Sequence, residues 1–120
     1  AAFSEFLKSG KRLPTAIIAT EDFRITTKLD CFRKAGIRIP EDISAVGYYN
    51  TPWSTATEVQ LTSVSIREDL IAQKAAQVIS GEEKAGEVVI APELVERGSC
   101  IPVSDKISFD PIPRRPKRRN

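Results

Sequence analysis

The stretch GIRIPEDISAVGYYNTPW, Gly36 to Trp53, decides how the rest of the chain is read. Gly36 can take the left-handed conformation that stops a helix, and Pro40 enforces the break. ISAVGYY, Ile43 to Tyr49, is a β-type run, and polar and aromatic side chains gather where it should end. Upstream, TAIIA, Thr15 to Ala19, is a short continuous apolar run after Pro14, the pattern of a strand buried on both faces. Thr20 then offers an N-cap oxygen, and Glu21 and Asp22 put negative charge at the positive end of the next helix. Ile25, Leu29, Phe32 and Gly36 follow at i, i+4, i+7 and i+11, which predicts one helix with a buried face ending at the glycine.

Working outward, FSEFLKSG reads as the last turns of a helix closed by Gly10. LTSVS, Leu61 to Ser65, is a third strand candidate. Ser65 and Glu68 have capping-box spacing and announce a helix over Arg67 to Ser80, with Leu70, Ile71, Ala75, Val78 and Ile79 as its apolar stripe. EVVIAPELVE gives two extended pieces hinged at Pro92. Strands alternating with helices of this length predict an α/β fold with a doubly wound, mostly parallel sheet. In such sheets ligands bind beyond the carboxyl ends of the strands. Glu21 and Asp22 follow one strand, and Tyr48, Tyr49 and Asn50 follow the next, so both groups should line the same edge.

The 120 residues, 41% hydrophobic, suffice for one domain with a core or a piece of one. The net charge of +2 is unevenly spread. Arg114, Arg115, Lys117, Arg118 and Arg119 supply five positive charges, and without them 13 basic residues face 16 acidic ones, leaving −3 on the body. A body of that sign does not by itself suggest a nucleic-acid surface. The division expected is residues 1–101 as domain and 102–120 as a basic, Pro/Arg-rich tail with the composition of a disordered terminus. The competing reading of the tail is a basic arm for phosphate backbones.

No apolar run approaches the roughly 20 residues that span a bilayer. Cys31 and Cys100 have no CxxC spacing, which fits a reducing cytoplasm without a disulfide. The chain contains no His, and it shows no Gly-rich phosphate loop, no G-x-S-x-G elbow and no metal-ligand spacing. An enzyme is therefore disfavoured, and no metal or cofactor is expected.

PTAIIATEDF, AGIRIPEDISAVGYYNTP, LTSVSI and APELVERGS, in this order and spacing, resemble the C-terminal effector-binding region of the LacI/GalR family of bacterial transcription regulators. The resemblance covers about Leu13 to Ser99. It implies a lobe similar to periplasmic sugar-binding proteins of type I, incomplete here. It also implies a small-molecule effector in the cleft, a homodimer, and operator DNA read by a helix-turn-helix that does not precede Ala1. The helix from Arg67 would then lack the full partner of its apolar stripe. Glu21 falls where many relatives contact the effector. Tyr49 falls where sugar-binding relatives commonly place an Asp, and Asn50 follows it. A phenol in place of two charged acceptors departs from the sugar-binding pattern.

The candidate ligand residues are thus Glu21, Asp22, Tyr49 and Asn50, against a plainer reading of the acids as helix-dipole partners and of Asn50 as a turn residue. Trp53 is expected at the subunit interface, with stacking on a sugar as its alternative. Glu41, Asp42, Glu82 and Glu83 are expected as solvent-exposed turn residues. The expected function is effector sensing and dimerisation in a transcriptional regulator, the ligand being sugar-like or nucleoside-like. The alternative is a periplasmic sugar-binding protein of an uptake system.

Overall fold

The computed structural model describes residues 5, 6, 9 and 12–103. Of the basic tail only residues 102 and 103 are described, and most of FSEFLKSG lies outside the described residues.

Four strands form one sheet in the order β1 (Ala16–Ile18), β2 (Ser44–Tyr48), β3 (Thr62–Ser65) and β4 (Glu93–Val95). β1, β2 and β3 run parallel, with Ile18 opposite Val46 and Val46 opposite Thr62. β4 is antiparallel to β3, with Leu94 opposite Val64. The mostly parallel sheet is the one the strand and helix alternation calls for.

Between β1 and β2 the expected single helix is two: α1 (Asp22–Thr26) and α2 (Leu29–Lys34). The threonines break it. Thr26 Oγ1 and Thr27 Oγ1 both donate to the carbonyl of Phe23, at 3.2 and 2.7 Å. Such back-bonding competes with the helical ladder and ends it locally. α2 does stop at Gly36, whose φ is +71°. The Gly36 N–H donates to Arg33 O and the Ile37 N–H to Phe32 O, both at 3.0 Å. This is a Schellman closure, and its two apolar members, Phe32 and Ile37, are both buried.

The core lies between these helices and one face of the sheet. Ile25, Phe32, Ile37, Ile39, Ile43, Ala45 and Leu61 are its buried members. The alternation along β2 buries Ala45 and Gly47 and leaves Ser44, Val46 and Tyr48 half-buried on the other face. β1 departs from its expected burial on both faces. It is an edge strand of the described sheet, Ile17 packs on the core, and Ile18 is 78% exposed.

The helix after β3 is α3 (Glu68–Ile79), and its expected capping box does not form. Arg67 occupies the N-cap with φ +60° and makes no side-chain cap bond. Ser65 Oγ accepts the Arg67 N–H instead, at 3.2 Å. No residue of α3 is buried, and Ile79 is 86% exposed. Of EVVIAPELVE only the second piece becomes a strand. Asp42 and Glu83 carry partners that spacing did not announce. Asp42 accepts from Arg38 Nε and Nη2 at 3.0 and 3.1 Å, and Glu83 pairs with Lys74 Nζ at 2.6 Å.

Candidate functional site

At the carboxyl edge of the sheet the chain leaves β1 through Thr20 and Glu21 and leaves β2 through Tyr49 and Asn50. The edge is built on Asp22, the first residue of α1, which is fully buried. Its Oδ2 accepts the Thr51 N–H at 2.6 Å and the Thr51 Oγ1 hydroxyl at 2.9 Å. Its Oδ1 accepts the Ser63 hydroxyl at 2.6 Å. Three donors on one buried carboxylate, two of them from the loop after β2 and one from β3, offset its desolvation and pin three segments together.

Tyr49 and Asn50 both adopt positive φ, +81° and +49°. For Tyr49 this conformation is costly and persists where the surroundings over-determine it, whereas asparagine tolerates the left-handed region. Here β3 holds both amides: Tyr49 N–H donates to Val64 O at 2.8 Å, and Asn50 N–H donates to Ser63 Oγ at 3.0 Å. Ser63 Oγ therefore accepts from the Asn50 amide and donates its own hydroxyl hydrogen bond to Asp22. The Asn50 side chain turns away from the edge, its Oδ1 accepting from Arg97 Nη2 at 2.6 Å. Arg97 Nη1 holds Leu61 O, also at 2.6 Å.

The four candidate ligand residues thus fall into two pairs. Asp22 and Asn50 have their oxygens committed to protein donors. Glu21 and Tyr49 keep surface: Tyr49 is 38% exposed and its ring meets Tyr48 edge-on at 5.0 Å. Glu21 has extended backbone at the α1 N-cap without a capping bond, and its carboxylate faces Arg24 Nε at 3.7 Å. The cap expected from Thr20 does not occur, because the helix begins one residue later. The edge therefore offers an acidic acceptor from Glu21 and a phenol from Tyr49.

Trp53 lies in a 3₁₀ turn, Pro52–Ser54, that packs against α1. It is 52% exposed, and Phe23 on α1 is 40% exposed. Thr51, Ser63, Arg97 and Gly47 were not singled out from sequence. The available signal was small polar residues inside strand runs, Thr62-Ser63 and Gly47, where apolar ones would serve packing better.

A separate open groove of about 840 Å³ lies over α2 and the 57–59 segment, lined by Leu29, Phe32, Ile37, Ile39 and Val59 among others. None of the candidate ligand residues lines it. Among the described residues no group of three or more His, Cys, Asp or Glu could hold a metal ion. Among them, too, no helix is long and apolar enough to cross a membrane.

A mainly parallel sheet with a loop network clamped at its carboxyl edge defines an α/β lobe of the class that takes ligands beyond its strand ends. The chain belongs to the periplasmic binding protein-like domain family, whose model matches residues 2–100, and within it resembles the effector-binding region of LacI-type regulators. It is 32% identical over 102 residues to an arabinose metabolism transcriptional repressor of Geobacillus stearothermophilus, covering 79% of this chain and 28% of the repressor. A crystal structure of a LacI-family transcriptional regulatory protein from Corynebacterium glutamicum superimposes with a TM-score of 0.69 at 30% identity, over 83% of this chain and 40% of that one. The transcriptional regulator CelR, solved as a cellobiose complex, superimposes with a TM-score of 0.57 at 29% identity, over 71% of this chain and 28% of that one. The chain thus spans less than half the length of these relatives, which are regulators and not enzymes.

Proposed function

We propose that this chain is the effector-sensing and dimerising portion of a LacI-type transcriptional regulator. Its ligand is small and polar, sugar-like or nucleoside-like, and contacts Glu21 and Tyr49. Asp22 and Asn50 serve the same site by holding the turn from behind. The observation that carries this reading is the well-anchored left-handed pair at the end of β2: backbone strain kept at Tyr49, on a strand edge of the kind where ligands bind in parallel sheets. Its support is similarity to regulators, one of them solved with a disaccharide.

The mechanism is linkage. A ligand that prefers one lobe arrangement shifts the population of a dimer whose DNA heads fit the operator in only one spacing. Operator recognition belongs to a helix-turn-helix outside this chain, and the dimer contact includes Trp53. The protein works in the cytoplasm.

The test is a thermal-shift screen of arabinose, cellobiose, sucrose and nucleosides, followed by calorimetry on any hit. Binding that is lost in both Glu21→Ala and Tyr49→Ala supports the site. A ligand whose affinity neither substitution changes would move the site elsewhere, and no stabilisation by any of these classes would overturn the effector reading.

A further inference from the structure

The turn at Tyr49 and Asn50 is gripped by four groups, the weakest being Ser54 Oγ, which donates to Asn50 Oδ1 at 3.5 Å. Val64 O and Ser63 Oγ, both on β3, hold its two amides. The third grip, Arg97 on Asn50 Oδ1, comes from the segment after β4, 47 positions away.

That segment is itself bound firmly to the sheet. The Arg97 N–H donates to Thr62 Oγ1 at 2.9 Å, and Thr62 N–H donates to Ser99 Oγ at 2.8 Å. Ser99 Oγ donates to Ala45 O, and the Ala45 N–H returns to Ser99 O at 2.8 Å. Arg97 therefore projects from a fixed base. Its guanidinium makes its side-chain hydrogen bonds to two neutral carbonyl oxygens, of Leu61 and of the Asn50 amide. Arginine can only donate, so Asn50 must turn its oxygen toward it, and the charge makes each bond stronger than a neutral one.

We propose that Arg97 is a positioning residue for the carboxyl edge of the sheet. Braced on Leu61, it holds Asn50 in its left-handed conformation and so sets how Tyr49 is presented. The orientation of the edge then depends on where the segment following β4 sits. This rests on the reading of that edge as the effector site.

Amide hydrogen exchange on the full chain, without ligand, tests it. Arg97→Gln and Asn50→Ala should each speed exchange of the Asn50 and Thr51 amides about tenfold, as expected for losing a bond to a charged donor. Amides that close α2, at Ala35 and Gly36, should stay within about twofold, since local opening need not spread. At the Thr51 amide the double variant should fall well short of the product of the two single effects, because both remove the Arg97–Asn50 bond, while Arg97→Gln alone frees Leu61 O and Asn50→Ala alone frees Ser54 Oγ. Arg97→Lys, which keeps the charge but lacks the planar fork that reaches both acceptors, should fall between.

Equal acceleration at Ala35 and Gly36 would overturn the proposal by showing a general loss of stability, and so would single effects that add. Should Arg97→Gln fail to fold, Asn50→Ala removes the acceptor and leaves Arg97 on Leu61, and unchanged exchange at Thr51 in that variant overturns the proposal. The fluorescence of Trp53, the sole tryptophan, gives a second reading of the same loop. A failed ligand screen alongside local, non-additive exchange would sink the effector reading and keep the positioning role of Arg97.

Discussion

A Cβ placed on Gly47 would collide with Asp22 Oδ1 and lie 3.1 Å from its Cγ. The buried carboxylate occupies the space that a side chain on β2 would need. Gly47 is therefore required by what Asp22 does, not by its own backbone conformation. Gly47→Ala should destabilise the fold by about 3 kcal/mol, at the upper end of overpacking costs because a carboxylate with three donors cannot step aside. Urea denaturation measures this. In an Asp22→Ala background the added methyl should cost much less, and an undiminished cost would deny the steric account.

Asp22→Asn keeps the shape and turns one acceptor into a donor facing the Ser63 hydroxyl or the Thr51 N–H. Loss of about 2–3 kcal/mol in denaturant unfolding is expected from a buried donor left unpaired. Ser63→Ala removes one donor and should cost less, about 1–2 kcal/mol. The reverse ranking would mean that Ser63 matters chiefly through Asn50.

Tyr49 sits at φ +81°, where a glycine rests without strain. If its ring is kept for a ligand, Tyr49→Gly should leave thermal stability unchanged or raise it by up to about 1 kcal/mol through relief of that strain. Affinity for any effector found in the screen should fall together with that gain. A clear drop in melting temperature would show that the ring packs for stability, against Tyr48 first of all.

Asp42 gives a pH signature. The hydrogen bonds from the Arg38 side chain, and after them from the Arg38 backbone N–H, hold its carboxyl below the ordinary 3.8. A folded value below the unfolded one means that the stabilisation is complete above about pH 4 to 5 and fades as pH falls through the lower folded value. Asp42→Asn should therefore lower the melting temperature slightly at neutral pH, and the gap to the parent should close in acid. A gap that persists to about pH 2 would assign the loss to something other than ionisation.

Trp53→Ala should weaken self-association of the full-length protein at least about tenfold, the usual weight of a buried aromatic anchor. Sedimentation velocity over a concentration series measures it. An unchanged dissociation constant would leave Trp53 as an exposed residue of a 3₁₀ turn and remove it from the dimer contact.

The apolar runs at Ile17, Ile43 to Ala45 and Leu61, the stop at Gly36 and the period of the helix after β3 determined by themselves the order of elements and the mostly parallel sheet. These are local signals: alternation, helical period and left-handed backbone act over a few residues and survive without the rest of the fold. The position of Glu21 and Tyr49 at one sheet edge was legible for the same reason, since strand ends in a parallel sheet share a side. Tertiary structure alone decided the rest. It split the helix at Thr27, exposed Ile18, turned Asp22 and Asn50 inward, and recruited Thr51, Ser63 and Arg97 around them. A buried carboxylate takes whatever donors the fold brings within hydrogen-bond reach, and donors 29, 41 and 47 positions apart from their acceptors leave no pattern along the chain.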